Sequence, residues 1–174
     1  MDVGYYKYRF SRLHTAKLKG KQAPHKAVLL IAVMRLVARG VVCSPEIELT
    51  EELVKTYKEV WAEKVPASCP FSCSIGQPFF HMQHEPFWRL LEHGEAYDMM
   101  TDELGLYDNL TKDMPNGYSV GAIRRKFRCA VIEKQLYDVI CDAENRRVLE
   151  ELLTIKYLNY NSPYTKVSDT FVYE

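Results

Sequence analysis

Tyr6, Phe10 and Leu13, followed by Lys17, recur at three- to four-residue spacing, which predicts an amphipathic helix from Tyr5 to about Leu18. Lys19-Gly20-Lys21-Gln22 reads as a basic turn. Ala23-Pro24-His25-Lys26 opens a second helix to about Arg39, with proline suited to a first helical position and Gly40 to the place just past the last. Its body, Val28 to Met34, is apolar nearly all round, so it is expected to run through the core. Thr50 caps a predicted third helix, Glu51 to Lys64, with Leu53, Tyr57, Val60 and Trp61 on one face.

The pattern then changes. Pro66 to Pro78 is turn-rich, and Phe79 to Met82 and Pro86 to Leu90 are short aromatic segments that read as strands, or as a turn and a strand. Glu92 to Asn116 is polar and acidic, predicting a hairpin with an irregular loop. Ser119 to Phe127 and Val131 to Cys141 read as short helices. Asp142 caps a final helix from Ala143 to Leu158, with Val148, Leu149, Leu152, Ile155 and Leu158 at core spacing. The expected fold is mainly α with a small β-sheet or hairpin. It forms a compact multi-helix α+β domain over residues 1–158, with 159–174 as a polar tail or linker to an effector domain.

Charge alters this picture. The chain holds 23 Lys+Arg and 23 Asp+Glu, a formal net charge of zero that taken alone argues against a polyanion partner. Residues 1–45, however, carry nine bases and one acid, and the remainder 14 bases and 22 acids. A second basic knot, Arg124, Arg125, Lys126 and Arg128, lies in the acid-free window between Asp113 and Glu133. Segregation of this kind creates a local field that the whole-chain sum conceals. No window approaches the roughly 18 to 20 apolar residues of a membrane span. Met1 to Tyr5 has no secretory pattern. Five cysteines, an odd number, point to free thiols and the cytoplasm. Cys43, Cys129 and Cys141 stand among apolar neighbours as core residues.

Little in the chain signals catalysis, and no cofactor is expected. No phosphate-binding glycine loop is present, and Cys69 and Cys73 form C-x3-C without a second pair. His81-x-x-His84-Glu85 is the best metal-like cluster, yet its spacing matches no zincin pattern, and Pro78 and Pro86 interrupt a helix there. Ala23-Pro24-His25-Lys26 is more telling. A helix N-terminus offers unpaired N–H groups and partial positive charge, here with a His and a Lys in its first turn and three lysines before it. The plainer alternative is that Pro24 only starts the helix and His25 packs.

Taken in order, Gly20-Lys21-Gln22-Ala23-Pro24-His25-Lys26-Ala27-Val28-Leu29-Leu30, Gln77-Pro78-Phe79-Phe80-His81-Met82, Glu85-Pro86-Phe87-Trp88-Arg89-Leu90 and Asn145-Arg146-Arg147-Val148-Leu149 carry a resemblance. Over residues 5–158 the chain resembles the sulfur-binding domain of modification-dependent HNH restriction endonucleases, bacterial defence enzymes that recognise phosphorothioated DNA. The resemblance implies a mostly helical domain that holds the sulfur in a shallow apolar cavity while basic residues hold the backbone. By position, the basic contacts fall on His25 and Lys26, with Lys21 and, from the second knot, Arg124 and Arg125 added as candidates. The sulfur pocket falls on Gln77, Pro78, Phe79, Phe80 and His81, with Pro24 added as a candidate. Some relatives have an aromatic residue where this chain has Gln77.

The implied partners are double-stranded phosphorothioated DNA and an HNH nuclease domain in cis, with a second copy of the chain as a further candidate and no membrane. Whether the chain belongs to an enzyme then turns on that nuclease, since no catalytic residues and no metal ligands are assigned within it. Three alternatives stay open. They are a reader of another DNA modification or plain sequence, a small metal-dependent nuclease using His81, His84 and Glu85, and a module docking an acidic protein.

Overall fold

A computed structural model describes residues 2–95 and 114–159. Its axis is α2 (His25–Ala38), buried from Lys26 through Met34 and again at Leu36. Such a helix needs cover on every side. α3 (Glu51–Lys64) and α7 (Ala143–Tyr157) pack against it, and α1 (Val3–Phe10) packs on α7. Asp2, Thr50, Ser119 and Asp142 cap α1, α3, α5 (Val120–Lys126) and α7, each side chain accepting an N–H three residues on.

Two antiparallel sheets complete the α+β domain. β1 (Lys17–Leu18) pairs with β2 (Lys21–Gln22) as a hairpin, in register Lys17↔Gln22 and Leu18↔Lys21. β3 (Glu46–Ile47), β5 (Phe127–Ile132) and β4 (Trp88–Glu92) form a three-stranded sheet with β5 central. Ala130 faces Ile47 on one side and Leu90 on the other. α4 (Gly76–His81) and a 3-10 turn (Met82–His84) lead into β4, and α6 (Lys134–Ile140) precedes α7. Among the described residues, no helix is long and apolar enough to cross a membrane.

Several expectations need correcting. The first helix stops at Phe10, because Lys17 and Leu18 turn back through Lys19-Gly20 to pair with Lys21 and Gln22. Residues 79–82 are helical, since Pro78 lies in the first turn, where its missing N–H has no partner to lose. The predicted helix from Val131 begins as the central strand, Phe127–Ile132, and turns helical only at Lys134. The buried stripe of α7 is Leu149, Leu153 and Tyr157; Ile155 is 55% exposed. Cys129 is buried, as expected, and burial pushes its thiol up to about 11. Cys43 and Cys141 are exposed. The acidic loop expected over 92–116 falls mostly outside the described residues, as does the tail from 160 on.

Candidate nucleic-acid interface

The cavity begins where α1 ends. The Leu13 N–H donates to the Tyr157 hydroxyl (3.0 Å), which donates to the Phe10 carbonyl (2.6 Å). This anchor on α7 leads the chain out as His14-Thr15-Ala16, the first wall. The hairpin follows. Its turn residues Lys19 and Gly20 have φ of 53° and 76°, the paired left-handed geometry that a two-residue hairpin turn of the right twist requires. Ala23 N–H then donates to the Ala16 carbonyl (2.8 Å), closing the hairpin at its base and placing both alanines on the cavity. His25 and Lys26 enter from the start of α2, Gln77, Pro78 and His81 from α4, and His84 from the 3-10 turn. The cavity is open on one side and has a volume of about 510 Å³.

One carboxylate organises the floor. Glu85, 3% exposed, accepts Lys26 Nζ at 2.7 Å and the His14 backbone N–H at 2.8 Å, and its Oε2 lies 3.2 Å from His14 Nδ1. Burial pulls the Lys26 pKa below its usual 10.5, while Glu85 opposes that shift. His25 Nε2 donates to the Ser72 carbonyl (2.8 Å), and its ring packs against Trp61 and edge-on to Phe71, with centroids at 5.1 and 5.7 Å. Burial lowers its pKa below 6.5. His81 is lowered too, by burial first and then by His84 and Lys26.

The charges nearly cancel. At neutral pH Lys26 is balanced by Glu85, His25 and His81 are mainly neutral, and Pro78, Ala16 and Ala23 supply apolar surface. Such a cavity suits a bulky, weakly hydrated, singly charged group better than a doubly charged one. Meanwhile Lys17, Lys19 and Lys21 stand on the hairpin beside it.

These shifts carry a sign. Between the lowered histidine pKa values and 6.5 the unfolded chain binds more protons than the folded one, so stability rises with pH across that window. Acidification through about pH 6 is expected to destabilise the domain. His81→Asn should flatten the slope in urea unfolding series run at several pH values. An unaltered slope would mean that His81 titrates like an exposed imidazole.

Of the sequence-derived site, His25, Lys26, Gln77, Pro78 and His81 meet at the cavity, and Lys21 lies on its hairpin. Pro24 caps α2 and is buried outside the lining. Phe79 and Phe80, each 1% exposed, point into the core. On a helix Phe79 sits opposite Gln77 and His81, and Phe80 lies to the side, its ring edge-on to His81 at 5.1 Å. The Phe79 ring meets Trp88 edge-on at 5.4 Å, and its carbonyl accepts Trp88 Nε1 at 3.1 Å. Phe80 packs on Tyr118 and Phe127.

Arg124 lies outside the lining, donating to the Leu49 carbonyl (2.6 Å) and Glu51 (2.9 Å); Arg125 is exposed on the same short helix. The proposed metal triplet does not assemble. The His81 and His84 rings stack at 5.8 Å, whereas Glu85 is committed to Lys26 and His14, and no metal-holding cluster occurs among the described residues. Sequence reasoning missed His14, Thr15, Ala16 and Ala23. Only recognition of Lys19-Gly20 as a hairpin turn could have brought Ala16 opposite Ala23. No protein-family model matches the chain, and no curated protein matches it.

Proposed function

We propose that this domain binds double-stranded DNA and reads a phosphorothioate in its backbone, seating the sulfur against Pro78, Ala16 and Ala23. The carrying observation is the juxtaposition of an apolar, charge-balanced cavity with a lysine hairpin that extends from its wall at Ala16 and Ala23. A phosphorothioate diester carries one negative charge, and its sulfur is larger, softer and less hydrated than oxygen. The cavity surface suits the sulfur and the hairpin suits the anion. Lys26, tied to Glu85, sets the polarity of the floor more than it supplies free charge. We further propose that the domain is the recognition part of a cytoplasmic restriction enzyme whose HNH nuclease is joined in cis. The five free thiols favour such a reducing compartment.

Burial of a sulfur-sized apolar surface at about 25 cal/mol per Å² contributes on the order of 1 kcal/mol, roughly fivefold in affinity. Most of the binding free energy is then phosphate contact and falls with salt. One duplex, with and without sulfur at a single linkage, is compared at fixed salt by fluorescence anisotropy. The sulfur form is expected to bind about fivefold tighter. Pro78→Ala, which leaves α4 able to form, should shrink that preference with little change for the plain duplex. Equal affinity of the wild-type protein for both duplexes would remove the sulfur reading.

A further inference from the structure

We propose that the outer face of α1 and the turn that follows it, carrying Lys7, Tyr8 and Arg9 on the helix and Arg12 just past its end, is a second contact for the phosphodiester backbone of the same duplex. The inference rests on the reading of the domain as a DNA binder, and adds a surface beyond the cavity.

The rotation of α1 is fixed from within. Tyr6 and Phe10 are fully buried, the Tyr6 hydroxyl donates to Glu133 (3.1 Å), and Tyr157 holds the Phe10 carbonyl. Lys7, Tyr8 and Arg12 therefore face solvent, with Arg9 half-buried between them. Tyr8 is 52% exposed, unusual for so large a side chain.

Both guanidinium groups are held in place by rings. Arg9 Nε donates to the Tyr5 hydroxyl (2.9 Å), and its guanidinium carbon lies 5.2 Å from the Tyr5 ring centre and 6.0 Å from that of Tyr8. That of Arg12 sits 4.6 Å over Tyr8. A guanidinium held over a ring keeps its Nη groups available, those of Arg9 included although its Nε is engaged by Tyr5, and loses less conformational freedom on meeting a phosphate than a loose side chain would.

Their charge is also without a close ion pair, although Glu133 acts on Arg9 from farther off. Among the described residues, no carboxylate lies within ion-pair distance of Lys7, Arg9 or Arg12. The second basic knot behaves differently: Arg124 pairs with Glu51, Lys126 with Glu92 and Arg128 with Glu46. In the second knot, Arg125 is the member with no such pair, whereas Lys7, Arg9 and Arg12 form a continuous group of three, the stronger local field for an outside polyanion. Continuity with the cavity adds to this. Two residues past Arg12 the chain becomes the cavity wall at His14, so the arginine face, the wall and the lysine hairpin follow one another along a single segment.

The test is a salt series on the plain and the singly phosphorothioated duplex, using the full chain and two double variants, Arg9→Ala/Arg12→Ala and Arg9→Lys/Arg12→Lys. Thermal melts check that both fold like the wild type. The alanine variant is expected to weaken both duplexes by about tenfold and to lower the slope of log affinity against log salt by about 2, leaving the sulfur preference intact. The lysine variant should keep the slope and recover part of the affinity. An alanine variant with wild-type slope and affinity overturns this surface. If the wild type binds both duplexes equally and the slope still falls, the sulfur reading fails and the arginine face stands. If the wild type binds neither duplex but holds poly-glutamate through these arginines, an acidic protein is the partner and the DNA assignment is overturned.

Discussion

Replacing Glu85 with alanine is expected to lower the stability of the domain by about 3–5 kcal/mol, because it leaves the Lys26 ammonium buried without its counter-charge. The geometry explains the size. Lys26 and Glu85 side chains are 8% and 2% exposed, and the pair closes at 2.7 Å, so each charge is compensated chiefly by the other. Glu85→Ala also strands the His14 N–H, which Glu85 accepts at 2.8 Å. Urea unfolding measures the loss. Lys26→Ala should cost a similar amount, leaving a buried carboxylate. Lys26→Met combined with Glu85→Gln should recover most of the stability, since both charges vanish and the amide oxygen still accepts from His14. Single variants as stable as the wild type would mean that the pair is open to water.

Gly76→Ala is expected to cost about 3 kcal/mol, at the upper end for overpacking, and to erase the sulfur preference as well. A β-carbon at Gly76 would stand 1.6 Å from the Tyr118 carbonyl oxygen and 2.8 Å from its carbon. The obstacle is backbone, which no rotamer change can clear, so α4 or the 118 segment must move. Gln77 and Pro78 follow directly on α4, and the Tyr118 ring lies 5.2 Å from His81, so either movement displaces a cavity wall. Gly121→Ala is the control. Its β-carbon would meet only Arg125 Nη1 at 3.4 Å, the end of a flexible side chain, and stability should change by less than about 0.5 kcal/mol. Thermal unfolding and the paired-duplex comparison read both effects. A Gly76→Ala protein with wild-type melting and preference would separate α4 from the cavity.

Helices with periodic faces and explicit caps were legible from residues alone. α2, α3 and α7 lie within one or two residues of their expected bounds, and Thr50 and Asp142 cap as anticipated. Elements defined by long-range pairing were not. β5 is a central strand whose Cys129 to Ile132 run is buried at every position, so no alternation marks it and it reads equally well as helix. α4 has the aromatic composition of a strand, and only its place above the core shows that Pro78 lies in the first turn of a helix.

The site divides in the same way. His25 and Lys26 follow from a helix start, and Gln77, Pro78 and His81 from a resemblance. The wall at His14 to Ala16 and the role of Glu85 depend on contacts across 59 and 71 residues, which local pattern cannot carry. Charge was legible as a distribution, while its pairing was not. Arg124, expected at DNA, donates to Glu51 and to the Leu49 carbonyl, partners that lie 73 and 75 residues away in sequence.

The hydroxyl of Tyr157 touches both Phe10 and Leu13, tying the first helix to the last. During synthesis the chain emerges from its N-terminus, so the basic segment leaves the ribosome long before the helix that fixes it. Contacts of such sequence separation close late in folding as well. On the reading proposed above, the cavity wall and the arginine face thus take shape only once α7 is made. Until Tyr157 is in place, the lysines and arginines of the first segment are an unshaped cationic stretch.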